Sequence, residues 1–501
     1  MNANTEQNIA DSDQEEQLEN DLPRLPMAIP SWLVSLTIHI VMLMILGVVT
    51  FGSELKEIKQ ILTLSSADEL DPLEPDLPQP QPIDVTVPTA TETSNLDVTS
   101  SDISDPVAAA PSASEIDESV SNFEVELAPI GRPTAGDGDI SKTYYGPTAG
   151  KGLADRGANR KGLAMKRGAS EPSEKAVTLA LRWLAEHQLP DGSWSFDHRH
   201  GKCQGRCSHQ GKLADSRNGA TGLALLPFLG IGTTHIEGQY KDTVRRGLEF
   251  LVRNMKPDGS LHEPGGRMYS HGICSIALCE AYAMTQDRKL IHPAQSSLNF
   301  IAAAQDPVGG GWRYKPNEAG DTSVFGWQIM ALKSGHMAYL NVPPKTVTNG
   351  IRFLDSVQTD SGSGYGYTTP GKASGTTAVG LLSRMYLGWD RDHPALERGV
   401  DRLSEIGPTK NMYYNYYATQ VMAQYDGARW KKWNGVMRDQ LVNSQDKTGH
   451  AKGSWFIEGG DHGSQSGGRL YSTCMATMVL EVYYRNMPIY GTDSVEEDFP
   501  L

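Results

Sequence analysis

The sequence predicts an all-α protein of about six helical hairpins, preceded by one membrane-spanning helix and an acidic, proline-rich linker. Three observations carry this. A turn unit recurs along the C-terminal part of the chain: Gln188-Leu-Pro-Asp-Gly-Ser-Trp194, Gln305-Asp-Pro-Val-Gly-Gly-Gly-Trp312, Gln358-Thr-Asp-Ser-Gly-Ser-Gly-Tyr365, and Gln445 through Gly453-Ser454-Trp455. A weaker copy, Met255-Lys-Pro-Asp-Gly-Ser260, lacks both the Gln and the aromatic. Return of one unit every roughly 40–65 residues signals a repeat architecture. Second, Trp32 to Phe51 is free of formal charge. Third, acid and proline crowd the stretch between that segment and the repeats.

The repeated unit reads as the corner of a helical hairpin. Asp, Pro and Gly stop the first helix, since glycine takes positive φ freely and proline cannot continue a helix. The aromatic after the glycines can lie back on a helix end, and the Gln can bond exposed backbone groups of the turn. These residue types suit a stapled corner better than a reaction.

At 501 residues the chain is too long for one compact core, so several regions are expected. Its charge of −15 is uneven: residues 1–145 hold 26 Asp and Glu against 5 Lys and Arg, a net of −21, leaving +6 on the rest. The acidity belongs to a solvated front segment. No broad basic face gathers anywhere, which argues against nucleic acid as a partner. The five cysteines make no disulfide scaffold.

In chain order, residues 1–30 read as an acidic disordered tail without the basic start and small-residue cleavage site of a secretory signal. Residues 31–52 read as the membrane helix, because about 20 uncharged residues cross a hydrocarbon core of about 30 Å. Ser35 and His39 share one face of it, and a polar pair in lipid calls for a membrane partner. Arg24 on one side and Lys56 and Lys59 on the other leave orientation undecided by charge. The short front tail and large rear domain favour a C-terminus outside the cytoplasm, with the anchor in the inner (cytoplasmic) membrane.

Residues 53–145 read as a linker with prolines at 72, 75, 78, 80, 82 and 88, tending to polyproline II. Residues 146–171 are a Gly-rich basic hinge holding Arg156, Arg160, Lys161, Lys166 and Arg167; it suits either solvent or anionic lipid headgroups. Helix signals then run in pairs over 172–486: 173–187 with 218–229, 240–254 with 270–284, 292–304 with 321–336, 344–357 with 375–387, 394–405 with 412–425, and 430–443 with 469–485. In most pairs the second helix is richer in Gly, Ala, Ser and Thr, so it is expected on an inner ring, with bulkier partners outside. Residues 487–501 form a C-terminal tail.

Outer–inner hairpins joined by Gln-x-x-x-Gly-x-Trp turns resemble the α/α toroid of squalene–hopene cyclases, protein prenyltransferase β subunits and the complement thioester domain. The resemblance spans 172–486 and implies a ring fold and a terpenoid or prenyl-transfer chemistry. The catalytic sets of those families are broken here. In squalene–hopene cyclases an Asp-x-Asp-Asp-Thr motif at an inner-helix start supplies the proton, because neighbouring carboxylates hold and polarise it. The matching stretch is Glu318-Ala319-Gly320-Asp321-Thr322, with Gly320 in the donor's place, so Asp321 and Glu318 are the remaining acid candidates. Asp321 also suits a helix N-cap. At the prenyltransferase zinc positions stand Ser323, two residues after Asp321, and Ser472, next to Tyr471. Serine is a poor zinc ligand. His271-Gly272 matches that family's diphosphate-binding His-Gly stretch, and the Gly-Cys-Gly-Glu-Gln thioester motif is absent.

Ser35-Leu-Thr-Ile-His39 followed by a proline-rich stretch resembles TonB- and TolA-type energy transducers, which implies an ExbB/ExbD-like motor complex as a membrane partner. One further cluster has no counterpart in these families: His198-Arg-His200-Gly-Lys-Cys203-Gln-Gly-Arg-Cys207-Ser-His209. It fits a small disulfide, a zinc site or unpaired thiols, and oxidation competes with metal outside the cytoplasm. No cofactor is otherwise required. His271, Asp321, Trp327, Tyr367, Tyr416, Tyr417 and Tyr471 are candidates to line a cavity for an apolar, isoprenoid or peptide ligand. The leading expectation is a non-catalytic binding or scaffold domain, and the alternative is a terpenoid cyclase or prenyltransferase using an unrecognised acid.

Overall fold

The computed structural model describes residues 160–486 and 489–490, with His39, Met42 and Arg156 before them. The chain divides into two units, residues 1–112 and 113–501. No helix among the described residues is long and apolar enough to cross a membrane. The expected span at 31–52 lies outside the described residues except for His39 and Met42, which are helical and exposed. The front tail, Ser35, the linker and residues 491–501 also lie outside them.

The second unit is helical almost throughout its described part: α1 (Arg160–Lys166), α2 (Glu171–Glu186), α3 (Arg217–Gly230), α4 (Lys241–Asn254), α5 (Arg267–Thr285), α6 (Arg288–Ala303), α7 (Thr322–Met337), α8 (Pro344–Val357), α9 (Ser374–Tyr386), α10 (Pro394–Ile406), α11 (Met412–Tyr425), α12 (Gly427–Ser444), α13 (His462–Leu480) and α14 (Val482–Arg485). A two-residue ladder, β1 (Gln358–Thr359) with β2 (Gly364–Tyr365), is antiparallel and pins the fourth corner.

Helices α3, α5, α7, α9, α11 and α13 pack each on the next, and α13 packs back on α3, closing a ring. The other member of each pair lies outside it, which makes an α/α toroid. Burial separates the two layers. In outer helix α4 the buried residues are Val244, Gly247, Leu248, Phe250 and Leu251, a stripe at helical spacing with Lys and Arg opposite. Inner α3 buries every residue but Arg217, and inner α11 every residue but Tyr413. A helix pressed from all sides must be apolar or small all round.

The turns that begin at Gln188, Gln305 and Gln445 each stitch their own outer helix to the next one. Trp312 Nε1 donates to Ile301 O at 2.8 Å, and Trp455 Nε1 to Leu441 O at 2.8 Å, so each indole bonds a last-turn carbonyl of its outer helix. Gln305 Nε2 donates to Gly310 O and, at 2.9 Å, to Thr346 O in the first turn of α8. Gln445 does the same with Gly453 O and with Ala176 O of α2, so the last corner grips the first outer helix. Glycine is required at Gly310, where φ is +83° and a Cβ would stand 2.1 Å from Asn349 O.

The end of the ring at the inner-helix C-termini is closed by charge. Glu280 of α5 is bonded by Arg156 Nη1 at 2.8 Å and by Arg485 Nη2 at 2.9 and 3.1 Å. Arg156 is buried there, and Arg167 donates to Tyr483 O at 2.9 Å. The hinge reading expects both side chains in solvent or on lipid headgroups; instead Arg156 is buried in its pair with Glu280, and Arg167 is half-buried on backbone carbonyls.

Candidate functional site

The N-terminal ends of the inner helices meet at the opposite end of the ring, around Ser323 in the first turn of α7. Tyr269 of α5 donates to Ser323 Oγ at 2.8 Å, and Tyr413 of α11 donates to Ser323 O at 3.0 Å. Tyr314 and Tyr367 share a hydrogen bond of 2.7 Å beside them. Burial drives the Tyr269, Tyr367 and Tyr413 phenols above their usual range, so all three remain neutral hydroxyls.

Asp321 caps α7: its Oδ1 accepts from Val324 N at 2.8 Å. The side chain is fully buried, and burial pushes its carboxyl up to about 6. Oδ2 has no direct hydrogen bond; Arg313 Nε at 4.0 Å and the Tyr367 phenol face it. Glu318 is not its partner. That side chain is half-exposed and turns to Lys315, accepting from its backbone N at 3.1 Å. Gly320 is sealed by packing, since a Cβ would lie 2.6 Å from Gly311 Cα and 2.9 Å from the Phe353 ring.

Deeper in the ring, Trp327 of α7 stacks on Tyr416 of α11 with centroids 5.6 Å apart and an angle of 14°. Tyr417 meets the same indole edge-on at 5.9 Å. Helix α9 lies between α7 and α11 in the ring, so these contacts join one inner helix to the next but one. Tyr471 is buried on α13, with Asp461 facing its phenol.

His271 is not placed to bind a diphosphate. Its Nδ1 accepts from Leu261 N at 3.0 Å, which leaves Nε2–H to donate to Ser297 O at 3.0 Å. In other repeats a threonine takes the same bond: Thr221 from Trp194 N, Thr377 from Tyr365 N, Thr473 from Trp455 N. The histidine therefore repairs the weak second corner, and burial holds it neutral, down to about 4.

A separate group forms where the first and last hairpins meet. His187, Cys203, Cys207 and His450 place one donor atom each within 4.8 Å of one another. His187 follows α2, and its Nδ1–H donates to Trp183 O at 2.7 Å, which aims Nε2 at Cys207 Sγ, 3.5 Å away. His450, in the loop before α13, sets Nδ1 3.1 Å from the same sulfur. Burial raises the Cys207 thiol to about 11 and lowers His187 to about 3. All five cysteines are free, so the disulfide alternative is not what the structure contains.

The three histidines of the local cluster are not part of this group. His198 is a buried wall, edge-on to His187 at 5.7 Å. His200 is exposed near Asp197 at 3.5 Å. His209 stacks on Phe456 at 3.9 Å and faces Arg469 Nη2 at 3.1 Å. Sequence reasoning missed His187 and His450. His450 lies 243 residues from Cys207, and only ring closure makes them neighbours.

No family model and no curated protein matches this chain. Among solved structures it is similar to a type II terpene cyclase from Scytonema, shown in complex with geranylgeranyl dihydroxybenzoate: 13% identity, TM-score 0.43, covering 63% of this chain and 97% of that one. It is also similar to an inactive variant of an α-1,6-mannanase of Salegentibacter sp. in complex with α-1,6-mannotriose, at 10% identity and TM-score 0.45, covering 62% and 99%. An α-amylase from Clostridium perfringens matches at 9% identity and TM-score 0.43, covering 62% and 97%. These likenesses assign no chemistry to this chain.

Proposed function

We propose that this chain is a non-catalytic binding or scaffold module, anchored in the inner membrane by residues 31–52 and presenting its helical ring outside the cytoplasm. The observation that carries this reading is the aromatic packing between inner helices. Trp327 of α7 stacks on Tyr416 of α11, and Tyr417 closes on the same indole edge-on, so these candidate cavity residues are engaged with one another as packing. Two features agree with it. Gly320 stands at the proton donor's place with no room for a side chain, and the Ser323 hydroxyl is committed to tyrosines. The ligand would be an apolar chain or peptide taken at the tyrosine-rich mouth around Tyr269, Tyr367 and Tyr413. The enzymatic alternative rests on Asp321 Oδ2, buried and without a direct hydrogen bond.

Asp321→Asn separates the two. A carboxyl whose folded pKa is raised, from 3.8 to about 6, contributes stability that is complete below about 4 and lost as pH rises through about 6. Asparagine keeps the cap without titrating. Relative to wild type, Asp321→Asn is expected to gain on the order of 2–3 kcal/mol in urea melts between pH 4 and pH 7.5. Purified full-length protein given squalene is expected to yield no cyclic product by gas chromatography–mass spectrometry. Polycyclic product that disappears in Asp321→Asn would overturn the reading.

The same reading assigns Ser35 and His39 to contact with a proton-driven, ExbB/ExbD-like membrane complex. Cross-linking from position 39 in native membranes is expected to capture proteins of that class, and His39→Ala to lose them. Capture of an identical set by His39→Ala would reduce the segment to an anchor.

A further inference from the structure

Ring proteins built from repeats have a seam. Each hairpin is held by its neighbours, but the first and last are joined by no covalent connection, so closure depends on side-chain and backbone bonds there. In this chain the seam is knitted by the loop after α2 and the segments around α13. Lys212 N donates to Ser466 O at 2.7 Å, Arg469 N to His209 O at 2.8 Å, and Arg469 Nε to Ser208 O at 3.1 Å. Arg469 also reaches Asp446 and the Ser454 hydroxyl. The thiol–imidazole group sits in this seam: His187 ends the first outer helix, Cys203 and Cys207 follow in the loop, and His450 comes from the last hairpin.

Three features of the group go beyond chance packing. The donors are two sulfurs and two imidazole nitrogens, the set that selects zinc over hard cations. Tetrahedral zinc, with Zn–S of about 2.3 Å and Zn–N of about 2.0–2.1 Å, sets sulfur–nitrogen edges of about 3.5 Å. The Cys207–His187 separation is 3.5 Å and the Cys207–His450 separation 3.1 Å. Finally, the His187 ring is fixed by its bond to Trp183 O and by stacking on Trp183 at 3.8 Å, so its free lone pair faces the Cys207 sulfur. Outer-shell anchoring of this kind is how metal-ligating histidines are oriented.

We propose that His187, Cys203, Cys207 and His450 bind one structural zinc ion that clasps the first hairpin to the last and so locks the ring closed. Four protein ligands complete a tetrahedron and leave no position for substrate, so the ion is structural and not catalytic. Binding deprotonates the two thiols and releases their protons to solvent, with no change of oxidation state. None of these four residues stands at a prenyltransferase zinc position; those positions here carry Ser323 and Ser472.

The test is metal content and metal spectroscopy on the purified full-length chain. About one zinc per chain is expected by mass spectrometry of the metal, and cobalt(II) exchange is expected to give the sulfur-to-metal charge transfer and intense visible bands of a tetrahedral thiolate site. Cys207→Ser and His450→Gln are each expected to lose the ion, whereas Cys274→Ser keeps it. His450 is partly exposed on a loop, so His450→Gln remains folded even where the buried cysteine variants do not. Chelator treatment of wild type is expected to lower its melting temperature by several degrees, with zinc restoring it. Wild type that holds no zinc and takes up no cobalt, a Cys203–Cys207 disulfide in peptide mass mapping, or unchanged metal content in His450→Gln would each overturn the proposal. None of these results depends on whether the ring binds a ligand at its mouth.

Discussion

Trp312→Ala and Trp455→Ala are each expected to destabilise the ring by about 3–5 kcal/mol. Both indoles are fully buried, so truncation opens a large cavity between an outer and an inner helix. Each also donates to a last-turn carbonyl of its outer helix, at 2.8 Å in both cases, and removing the donor forfeits that buried bond; Leu441 O keeps Gln445 N as a second partner. Urea unfolding monitored by far-ultraviolet circular dichroism measures the loss. Val308, 81% exposed in the same corner as Trp312, is the control, and Val308→Ala is expected to change stability by less than about 0.5 kcal/mol. Wild-type midpoints for both tryptophan variants would sink the argument that these corners staple the ring.

Glu280→Gln is expected to cost about 3–5 kcal/mol, because it leaves two buried guanidinium groups without their carboxylate. Arg156 and Arg485 converge on Glu280 from opposite ends of the folded region, 124 and 205 residues away in sequence. Burial alone would favour the protonated acid, but the two arginines prevail and hold its carboxyl below the usual range. For a depressed carboxyl the stabilisation is present above the unfolded pKa, near 4.5, and is lost as pH falls through the lower folded value. The gap between wild type and Glu280→Gln should therefore be full at pH 7 and close in strong acid. A gap that stays constant down to pH 2.5 would show that the cost is packing and not charge. In a double-mutant cycle, Glu280→Gln with Arg156→Met is expected to cost less than the sum of the single changes.

Much of the architecture was legible because it is written locally. Gln305, Gly310 and Trp312 sit at fixed offsets, and each does its work within one corner and the first turn of the next helix. Short-range steric and hydrogen-bond rules are enough to place them. The small-residue helices betrayed the inner ring because crowding on every side permits little else. Asp321 as a cap was readable for the same reason, since an N-cap is decided by three consecutive residues.

What the ring brings together could not be read this way. His271 matched a ligand-binding motif, and only the neighbouring corner, where Leu261 N lacks a threonine, shows it as a repair. Glu318 stands three residues from Asp321, yet the loop turns it to solvent and Lys315. Arg156 lay in a stretch that composition marks as a solvated hinge, and its burial depends on an acid 124 residues away. The seam is the clearest case. Cys203 and Cys207 advertised a site by their spacing, but the histidines beside them in sequence are not the ones beside them in space. His187 and His450 join them because α13 closes onto α3, and closure is a property of all six hairpins at once, with no signature in any single one.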